Sequence, residues 1–265
     1  MTRRPKRSLG QNFLVDANLQ RKIVAAVGAG ADDEVLEIGP GRGALTRHLV
    51  GHVGRLVLVE LDDELAAALS ARYAGRDDVE IVHADVLEVA LDDHLRRPEA
   101  VRVVGNIPYN ITTPIIFRLL ERPRPADIVL MVQDEVAERI AAPVGTKAYG
   151  ALSVGVRSVA RVERLFKVRR GAFRPVPSVD SAVIRITPLK PAPLGRVEEV
   201  RLRNLVRACF QWRRKQLRRI LRDHPDLGYD EETIGSAMRA AGAEPEDRPE
   251  RLGPEQLVAL VTALP

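Results

Sequence analysis

Residues 34–43 have the sequence Glu-Val-Leu-Glu-Ile-Gly-Pro-Gly-Arg-Gly, and this stretch predicts the fold. The first five residues are typical of a buried strand, and the turn that follows has glycine at every second position. Residues 44–50 then place leucines at helical spacing. A strand, a glycine turn and a helix together form a unit that binds dinucleotide-like ligands at the helix N-terminus. The G-x-G-x-G spacing alone is a weak signal, compatible with NAD, FAD or S-adenosylmethionine.

Further apolar runs alternate with helical patterns along the chain. They are expected to form strands at Arg55–Val59, Val79–Ala84, Val101–Val104 and Ile128–Val132. This alternation predicts an α/β fold with a doubly wound, mostly parallel, Rossmann-like sheet. Two late runs, Val162–Val168 and Ala182–Ile186, are expected to finish the sheet as an antiparallel pair. We also expect Asp16 to cap the first helix, and Thr112 or Thr113 to cap the helix after the fourth strand of this series.

The chain divides into a large and a small part. Thr187–Gly195 contains three prolines and is interpreted as a linker. We therefore expect a Rossmann-like domain over residues 1–190, with an N-terminal arm and helix over 1–33. Residues 191–265 have helical patterns and no strong strands, so they predict a small all-α domain. The basic segment Met1–Arg7 is interpreted as a mobile arm.

The composition excludes several classes of protein. Cys209 is the only cysteine, so neither a disulfide framework nor a cysteine-rich zinc site is expected, and no other metal site is predicted. The chain has no run of about 18 apolar residues and no signal-peptide pattern. We expect a cytoplasmic monomer that does not bind membranes. The net charge of +5 weakly favours an anionic partner.

Acidic residues follow the second and third strands of this series. An acid about 20 residues beyond the first glycine typically binds a ribose diol in such folds, and Glu60 occupies that position. Asp85 can accept a hydrogen bond from the amino group of an adenine. Residues for hydride transfer and for a phosphate-binding P-loop are not apparent. S-adenosylmethionine is therefore the favoured cofactor.

The tetrapeptide Asn106-Ile107-Pro108-Tyr109 follows the fourth strand of this series, next to the reactive side of that cofactor. An amide oxygen and a backbone carbonyl can accept from the two N–H groups of an exocyclic amine, while an aromatic ring stacks on the base. The alternative is a simple strand-to-loop turn with a tyrosine packed over it. Phe173, in a proline-stiffened loop, is a second exposed aromatic candidate.

A cationic stripe marks the C-terminal part. Residues 201–222 contain no acid, and at helical spacing their basic residues lie on one face and their apolar residues on another. Like charges in such rows repel, so an unpaired stripe predicts a polyanion such as RNA or DNA, whereas the alternative is a solvated face.

The combined motifs resemble the ribosomal RNA adenine dimethyltransferases. The resemblance covers about residues 8–187 and is carried, in order, by Gln11-Asn12-Phe13-Leu14, Glu37-Ile38-Gly39-Pro40-Gly41, Glu60-Leu61-Asp62, Asp85, Asn106-Ile107-Pro108-Tyr109-Asn110 and Phe173-x-Pro175-x-Pro177. Phe210–Leu217 is also similar to the Arg-Arg-Lys helix of the family's housekeeping branch. That branch dimethylates two adjacent adenines in a hairpin near the 3′ end of small-subunit rRNA.

The resemblance implies a role for individual residues. It implies cofactor contacts at Gln11, Asn12, Leu14, Gly39, Gly41, Glu60, Leu61, Asp85, Val86 and Asn106. It implies a target-amine pocket formed by Asn106, Pro108 and Tyr109, with Phe173 on the second face of the base. RNA contacts are expected at Arg203, Arg207, Arg213, Arg214, Lys215, Arg218 and Arg222. The implied partner is small-subunit rRNA within an assembling 30S particle.

The mechanism follows from the weak nucleophilicity of the adenine N6 amine. Acceptors at Asn106 Oδ1 and the Pro108 carbonyl would favour a pyramidal nitrogen and align its lone pair for in-line methyl transfer. Three alternatives stay open: methylation of large-subunit rRNA by the antibiotic-resistance branch, a non-catalytic RNA-binding assembly factor, and DNA adenine methylation. Target choice is less determined than chemistry, because the tetrapeptide also occurs in the resistance branch.

Overall fold

A computed structural model of the chain describes residues 11–265. The predicted basic arm at Met1–Arg7 lies outside this range. The described residues form two compact units. The first contains residues up to Ala137 together with Glu163–Pro188, and the second contains Glu138–Val162 with Leu189–Pro265.

The C-terminal part of the second unit thus begins at Leu189. The unit also includes Glu138–Val162, a segment that the sequence analysis assigned to the larger domain. Tyr149 and Val154 of this segment are fully buried in the apolar core of the second unit. Burial of a large aromatic side chain contributes enough free energy to fix that association. The boundary between residues 190 and 191, as a division of function, remains a prediction.

Nine strands are present among the described residues. They are β1 (Phe13–Leu14), β2 (Glu34–Ile38), β3 (Arg55–Glu60), β4 (Val79–His83), β5 (Arg102–Asn106), β6 (Asp127–Gln133), β7 (Ala160–Val168), β8 (Phe173–Arg174) and β9 (Ser181–Pro188). Seven of them begin within two residues of the predicted positions, and the two shortest, β1 and β8, were not predicted.

Seven of these strands form one sheet in the order β4-β3-β2-β5-β6-β9-β7. The pairs β4–β3, β3–β2, β2–β5 and β5–β6 are parallel, and β9 is antiparallel to β6. The fold is therefore the predicted doubly wound α/β type. The chain runs outward in opposite directions from β2 and β5, so a crevice for a ligand is expected at their carboxyl ends. The two late strands are neighbours in the sheet, as expected, and β9 inserts between β6 and β7.

The central strands are buried along almost their whole length because the parallel part of the sheet is covered on both faces. This explains why β2 and β6 have nearly continuous apolar sequences. A separate two-stranded sheet pairs β1 with β8, with Leu14 opposite Phe173.

The helices are α1 (Ala17–Val27), α2 (Thr46–Leu49), α3 (Asp63–Arg72), α4 (Thr112–Leu119), α5 (Asp134–Ala141), α6 (Ala151–Arg157), α7 (Arg196–Gln211), α8 (Leu217–Asp223), α9 (Glu231–Ala240) and α10 (Pro254–Ala263). Residues 11–265 include no helix that is both long and apolar enough to cross a membrane.

The predicted caps are half right. The Asp16 side chain accepts from the backbone N–H groups of Asn18 and Leu19, which confirms it as the cap of α1. The prediction of a threonine cap on α4 is wrong. Thr112 is already the first residue of α4, and its hydroxyl donates to the Pro108 carbonyl, because a short 3₁₀ turn leads the chain into the helix.

The predicted single cationic face over residues 201–222 is also wrong in its geometry. α7 ends at Gln211 and α8 begins at Leu217, so the intervening residues form a turn. The apolar positions of both helices still enter the core of the second unit, including Cys209, whose thiol is fully buried. The basic residues consequently lie on two helices and a turn instead of one continuous row.

Candidate active site

A cavity of about 250 Å³ opens at the carboxyl ends of β2, β3, β4 and β5. This is the crevice at the point where the winding direction of the sheet reverses. All residues predicted to contact the cofactor line it, namely Gln11, Asn12, Leu14, Gly39, Gly41, Glu60, Leu61, Asp85, Val86 and Asn106. Pro108 and Tyr109 of the tetrapeptide line it too, whereas Phe173 is not among its lining residues.

The glycine turn after β2 requires glycine for two separate reasons. Gly39 and Gly41 have φ angles of 63° and 59°, a left-handed conformation that other residues rarely adopt. A Cβ atom on Gly41 would also lie 3.2 Å from the Phe13 ring, which forms part of the cavity wall. The glycines therefore keep a backbone-lined cradle open at the end of β2.

Glu60, the last residue of β3, is held by two backbone N–H groups. Its carboxylate oxygens accept from Gly41 N and Asp62 N, each at 2.9 Å, and the residue is only 6 % exposed. Burial raises the pKa of Glu60, while the two backbone hydrogen bonds oppose the rise. Each oxygen keeps a second lone pair, so the carboxylate can still accept from a ligand hydroxyl.

Glu37 is a cavity-lining residue to which the sequence interpretation gave no individual role. It is buried within β2, and Thr46 Oγ1 donates to its Oε2 at 2.7 Å. Burial raises the pKa of Glu37 to about 8, so this carboxyl group is protonated at neutral pH. The signal was present in the sequence, because an acid among Val35, Leu36 and Ile38 is out of place in a buried strand.

Asp85 stands in the loop after β4. Its Oδ1 accepts from the backbone N–H of Leu87 at 2.9 Å, and its Oδ2 has no hydrogen-bond partner among the described residues. Leu61, which lines the same cavity, keeps 46 % of its surface exposed. An unused carboxylate oxygen beside an exposed apolar side chain suits a flat ring that carries an amino group.

Asn106 ends β5 with its amide orientation fixed. Nδ2 donates to the Asn12 carbonyl at 2.9 Å, so the Oδ1 atom is left as an acceptor. The contact joins residues that are 94 positions apart in the sequence, and no local pattern could reveal it. The structure thus brings an oriented acceptor into the cavity that Glu60 and Asp85 also line.

The Pro108 carbonyl, predicted as a second acceptor, is already engaged. It accepts from Ile111 N at 3.3 Å and from Thr112 Oγ1 at 3.1 Å, which uses both of its lone pairs. The carbonyl of Ile107 accepts no hydrogen bond from the described part of the chain. Unlike the Pro108 carbonyl, the Ile107 carbonyl can therefore still accept from a ligand.

Tyr109 is held by Ser181, a residue that the sequence analysis missed. The two hydroxyl oxygens lie 2.6 Å apart, and Ser181 is fully buried at the start of β9. Burial raises the pKa of Tyr109, and the hydrogen bond to Ser181 partly opposes this. The phenol therefore stays neutral, and its ring is fixed where it lines the cavity.

Phe173 does not occupy the exposed position that a base clamp requires. It is fully buried in β8, where it belongs to the apolar core of the first unit and pairs with Leu14 of β1. The prediction that this aromatic ring is exposed is wrong. Burial of a phenyl ring lowers the free energy of the folded protein relative to leaving the ring in water.

The C-terminal basic residues are less free than the sequence indicated. Four of the seven have acidic partners: Arg207 with Asp226, Arg213 with Glu250, Arg218 with Glu231, and Arg222 with Asp223 and Glu231. All of these acids lie beyond residue 222, so the absence of acids within residues 201–222 was misleading. The side chains of Arg203, Arg214 and Lys215 have no hydrogen-bond or ion-pair partner among the described residues.

Comparison with known proteins agrees with this geometry. A sequence model of the family described as "Ribosomal RNA adenine dimethylase" matches residues 2–247. The chain is 42 % identical over 264 residues to the "Ribosomal RNA small subunit methyltransferase A" of Geobacter metallireducens, covering 98 % of this chain and 96 % of that protein. It is 43 % identical over 270 residues to the protein of the same name from Moorella thermoacetica, covering 98 % and 92 %.

Two solved structures share the fold over nearly the whole chain. A dimethyladenosine transferase from Plasmodium falciparum has a TM-score of 0.77 at 27 % identity, covering 94 % of this chain and 95 % of that one. The 23S rRNA methyltransferase ErmE has a TM-score of 0.70 at 30 % identity, covering 96 % and 99 %. The chain therefore belongs to the ribosomal RNA adenine dimethylase family, and it is a methyltransferase that uses S-adenosylmethionine.

Proposed function

We propose that this protein dimethylates N6 of two adjacent adenosines in a hairpin near the 3′ end of small-subunit rRNA. The observation that carries the proposal is the oriented Asn106 amide, whose Oδ1 is left as an acceptor in the same cavity as Glu60 and Asp85. The small-subunit target is supported by the relatives at about 40 % identity, which are named for that subunit.

The residues of the cavity fit the cofactor. Gly39 and Gly41 line the cavity and carry no side chains, so a ligand can approach the main chain there. Glu60 would accept from the ribose hydroxyls, and Asp85 Oδ2 would accept from the adenine amino group. When bound, S-adenosylmethionine supplies a methyl group made electrophilic by its sulfonium.

The target amine is activated by acceptors and does not need a strong base. Asn106 Oδ1 accepts from one N–H group of the adenine, and the Ile107 carbonyl replaces the Pro108 carbonyl as the second acceptor. Two acceptors hold the nitrogen pyramidal and free its lone pair. Their electrostatic stabilisation of the amine grows as positive charge develops on the nitrogen. The proton then leaves the acidic ammonium product for water.

In this geometry, the target base stacks on the ring of Tyr109. Stacking one base on an aromatic ring is worth about 1–3 kcal/mol. Exposing Phe173 would lose about 1.5–3 kcal/mol of burial, so a second stacking face from Phe173 gains almost nothing unless the RNA itself rearranges the loop. The ring of Tyr109, fixed through Ser181, is therefore assigned as the primary stacking surface.

The second unit contributes RNA affinity. Arg203, Arg214 and Lys215 are the basic residues of the predicted set without acidic partners, and they would bind phosphate groups. So few base-reading side chains favour recognition of RNA shape, and hence an assembling 30S particle in the cytoplasm as the substrate. We expect the protein to act as a monomer.

The test is methyl transfer from labelled S-adenosylmethionine to small and large ribosomal subunits that lack the modification. Dimethyladenosine in small-subunit RNA, identified by mass, is the expected result. Label confined to large-subunit RNA would replace this proposal by the large-subunit activity that the ErmE likeness suggests. Cofactor binding without label in either subunit would leave a non-catalytic assembly factor.

A further inference from the structure

A short basic segment of the first unit lies beside the target-amine loop and has no role in the proposed chemistry. It follows β7 and contains three exposed arginines, Arg169, Arg170 and Arg174, which we call the rim arginines. Residues 170–172 form one 3₁₀ turn that leads into β8. The side chain of Phe173 between them points into the core, so the arginines flank a buried anchor.

Two sets of contacts tie this segment to the cavity. β8 pairs with β1, and Val15 N donates to the Ala172 carbonyl at 2.9 Å. Both residues of β1, Phe13 and Leu14, line the cavity. The segment is therefore separated from the cavity by one strand, β1.

The second set of contacts leads to the stacking tyrosine. The backbone N–H of Arg170 donates to Asp180 Oδ1 at 3.0 Å, and Asp180 directly precedes Ser181. Ser181 in turn holds the Tyr109 hydroxyl at 2.6 Å. Arg170 and Tyr109 are thus held by two consecutive residues, Asp180 and Ser181, where β9 begins.

The acids at this rim are occupied by other cations. Asp134 is paired with Arg164 and Lys167, and Asp180 is paired with Lys167 at 3.1 Å. The pKa of Asp180 is lowered mainly by the hydrogen bond from the Arg170 backbone N–H and by Lys167. The charge of the Arg170 side chain lowers it further, but this side chain forms no ion pair with Asp180. Arg164, Lys167 and the three rim arginines therefore outnumber Asp134 and Asp180 in this part of the chain.

The rim arginine side chains are available for a ligand. Arg174 donates only to the carbonyls of Gly171 and Phe173, and the side chains of Arg169 and Arg170 have no hydrogen-bond partner among residues 11–265. A guanidinium group binds phosphate oxygens through two parallel hydrogen bonds, which suits it to a nucleic-acid backbone. A base that leaves its stack to reach Tyr109 needs its strand to be held on the adjacent phosphates.

We propose that the rim arginines bind phosphate groups of the RNA strand immediately next to the target adenosine, and so position the unstacked base over the cavity. This inference rests on the proposed function, since it assigns the substrate contacts of the same site. It is distinct from the RNA contacts of the second unit, because it concerns placement of the reacting nucleotide and not general affinity.

The experiment compares two double variants that each remove two positive charges. Arg169→Ala/Arg170→Ala changes the rim, and Arg96→Ala/Arg97→Ala is the matched control. Arg96 and Arg97 are also adjacent, exposed and in the first unit, and their backbone N–H groups likewise donate to a carboxylate, that of Glu34. They lie at the amino end of the sheet, away from the cavity. A third variant, Arg169→Lys/Arg170→Lys, restores the charge.

The substrate is the small ribosomal subunit lacking the modification, and methyl transfer and subunit binding are measured at several salt concentrations. We expect the kcat/KM of the rim variant to fall about ten- to a hundredfold. The salt slope of its binding should be shallower by about 1.4 to 1.8, which corresponds to the loss of two phosphate contacts. The lysine variant should recover the slope but only part of the rate. The control should stay within about twofold, and calorimetric S-adenosylmethionine binding should be unchanged in all variants.

The outcomes separate this inference from the proposed function. A rim variant with normal rate and slope would overturn the inference while wild-type methylation upholds the function. An equal loss in the control would show that net charge alone matters, which also overturns it. If the wild type methylates neither subunit, the proposed function fails, and the slope of the binding measurement still decides whether the rim contacts phosphate.

Discussion

The cavity of the first unit is held together by backbone groups, whereas the cationic surface of the second unit is held by side chains in water. Glu60 is fixed by two main-chain N–H groups and Asn106 by a main-chain carbonyl. Arg207 and Arg218 are fixed only by exposed ion pairs. An exposed ion pair contributes about 0.2–1 kcal/mol, so it can exchange for a phosphate at little cost, but the cavity cannot rearrange so cheaply. Changes at the cavity should therefore have large effects, and changes at the cationic surface should have small ones.

The largest effect is expected for Phe173, which the sequence analysis places against the target base and the structure places in the apolar core. Phe173→Ala should lower the free energy of unfolding by about 3–5 kcal/mol, because the ring is fully buried and its removal leaves a cavity. Urea unfolding of the variant and the wild type measures this directly.

A matched variant separates packing from stacking at this position. Phe173→Leu keeps an apolar side chain and should lose only about 1 kcal/mol, with methyl transfer within a few-fold of wild type. A Leu variant that is stable but inactive would show that the ring leaves the core to stack on the base. The assignment of Tyr109 as the primary stacking surface would then be wrong.

The next effect concerns the oriented amide. Asn106→Ala removes the Oδ1 acceptor and should lower kcat by about 10²- to 10³-fold, by analogy with the loss of one group that stabilises transition-state charge. Single-turnover methyl transfer at saturating cofactor measures it. Asn204→Ala, which removes an exposed amide of α7, is the control and should have normal activity. A loss below tenfold at Asn106 would move the activation of the amine to other groups.

The sequence predicted the cavity well because its positions are set by where strands end. Glu60, Asp85 and Asn106 could be assigned from strand ends alone, since the carboxyl ends of parallel strands meet at one edge. The contacts that orient these groups could not be predicted. Asn106 meets Asn12 across 94 residues, and Tyr109 meets Ser181 across 72. Such pairs depend on how the chain folds back, which local periodicity does not contain.

The prediction that the cationic stripe is unpaired was wrong for a related reason. The absence of acids within residues 201–222 was taken to mean an absence of partners, but Glu231 and Glu250 approach from later in the chain. The prediction that Phe173 is exposed was wrong because it rested on the proline-stiffened loop, whereas the short pairing of β8 with β1 buries the ring. In each case a tertiary contact overrode a correct local pattern.

An intermediate effect should appear at Glu37, the buried acid beneath the cavity. Burial is the largest cause of its raised pKa of about 8, with the charge of Glu60 adding to it and the Thr46 hydrogen bond opposing it. The folded protein therefore keeps a proton that the unfolded chain releases above its ordinary pKa of 4.5. Consequently, stability should fall as the pH rises from about 4.5 to about 8 and stay low above that range.

Glu37→Gln removes this titration while keeping the shape of the side chain. The variant should match the wild type near pH ~4.5 and should have the higher free energy of unfolding near pH ~8.5, with a difference that grows as the pH rises between these values. Urea unfolding at both pH values measures the difference. Parallel pH profiles for the two proteins would contradict a buried, protonated Glu37.

The smallest effect distinguishes free from paired cations on the second unit. Arg214 has no acidic partner among the described residues, while Arg218 donates to Glu231 at 2.8 Å. Arg214→Ala should reduce the salt slope of small-subunit binding by about 0.7–0.9 and weaken binding about three- to tenfold. Arg218→Ala should change the slope by less than half as much, because its charge is already partly neutralised. Binding titrations over a range of salt concentrations measure both.

Equal slopes for the two variants would mean that the Arg218–Glu231 pair opens when RNA binds. Glu231 also accepts from Arg222 at 3.0 Å, so it would keep one partner after releasing the other. The double variant Arg218→Ala/Glu231→Gln then decides the matter: it should bind like Arg218→Ala if Arg222 keeps Glu231 neutralised, and more tightly if Glu231 repels the phosphates. Tighter binding would show that the acids of this surface limit RNA affinity, in contrast to the cavity, where the acids are the binding groups.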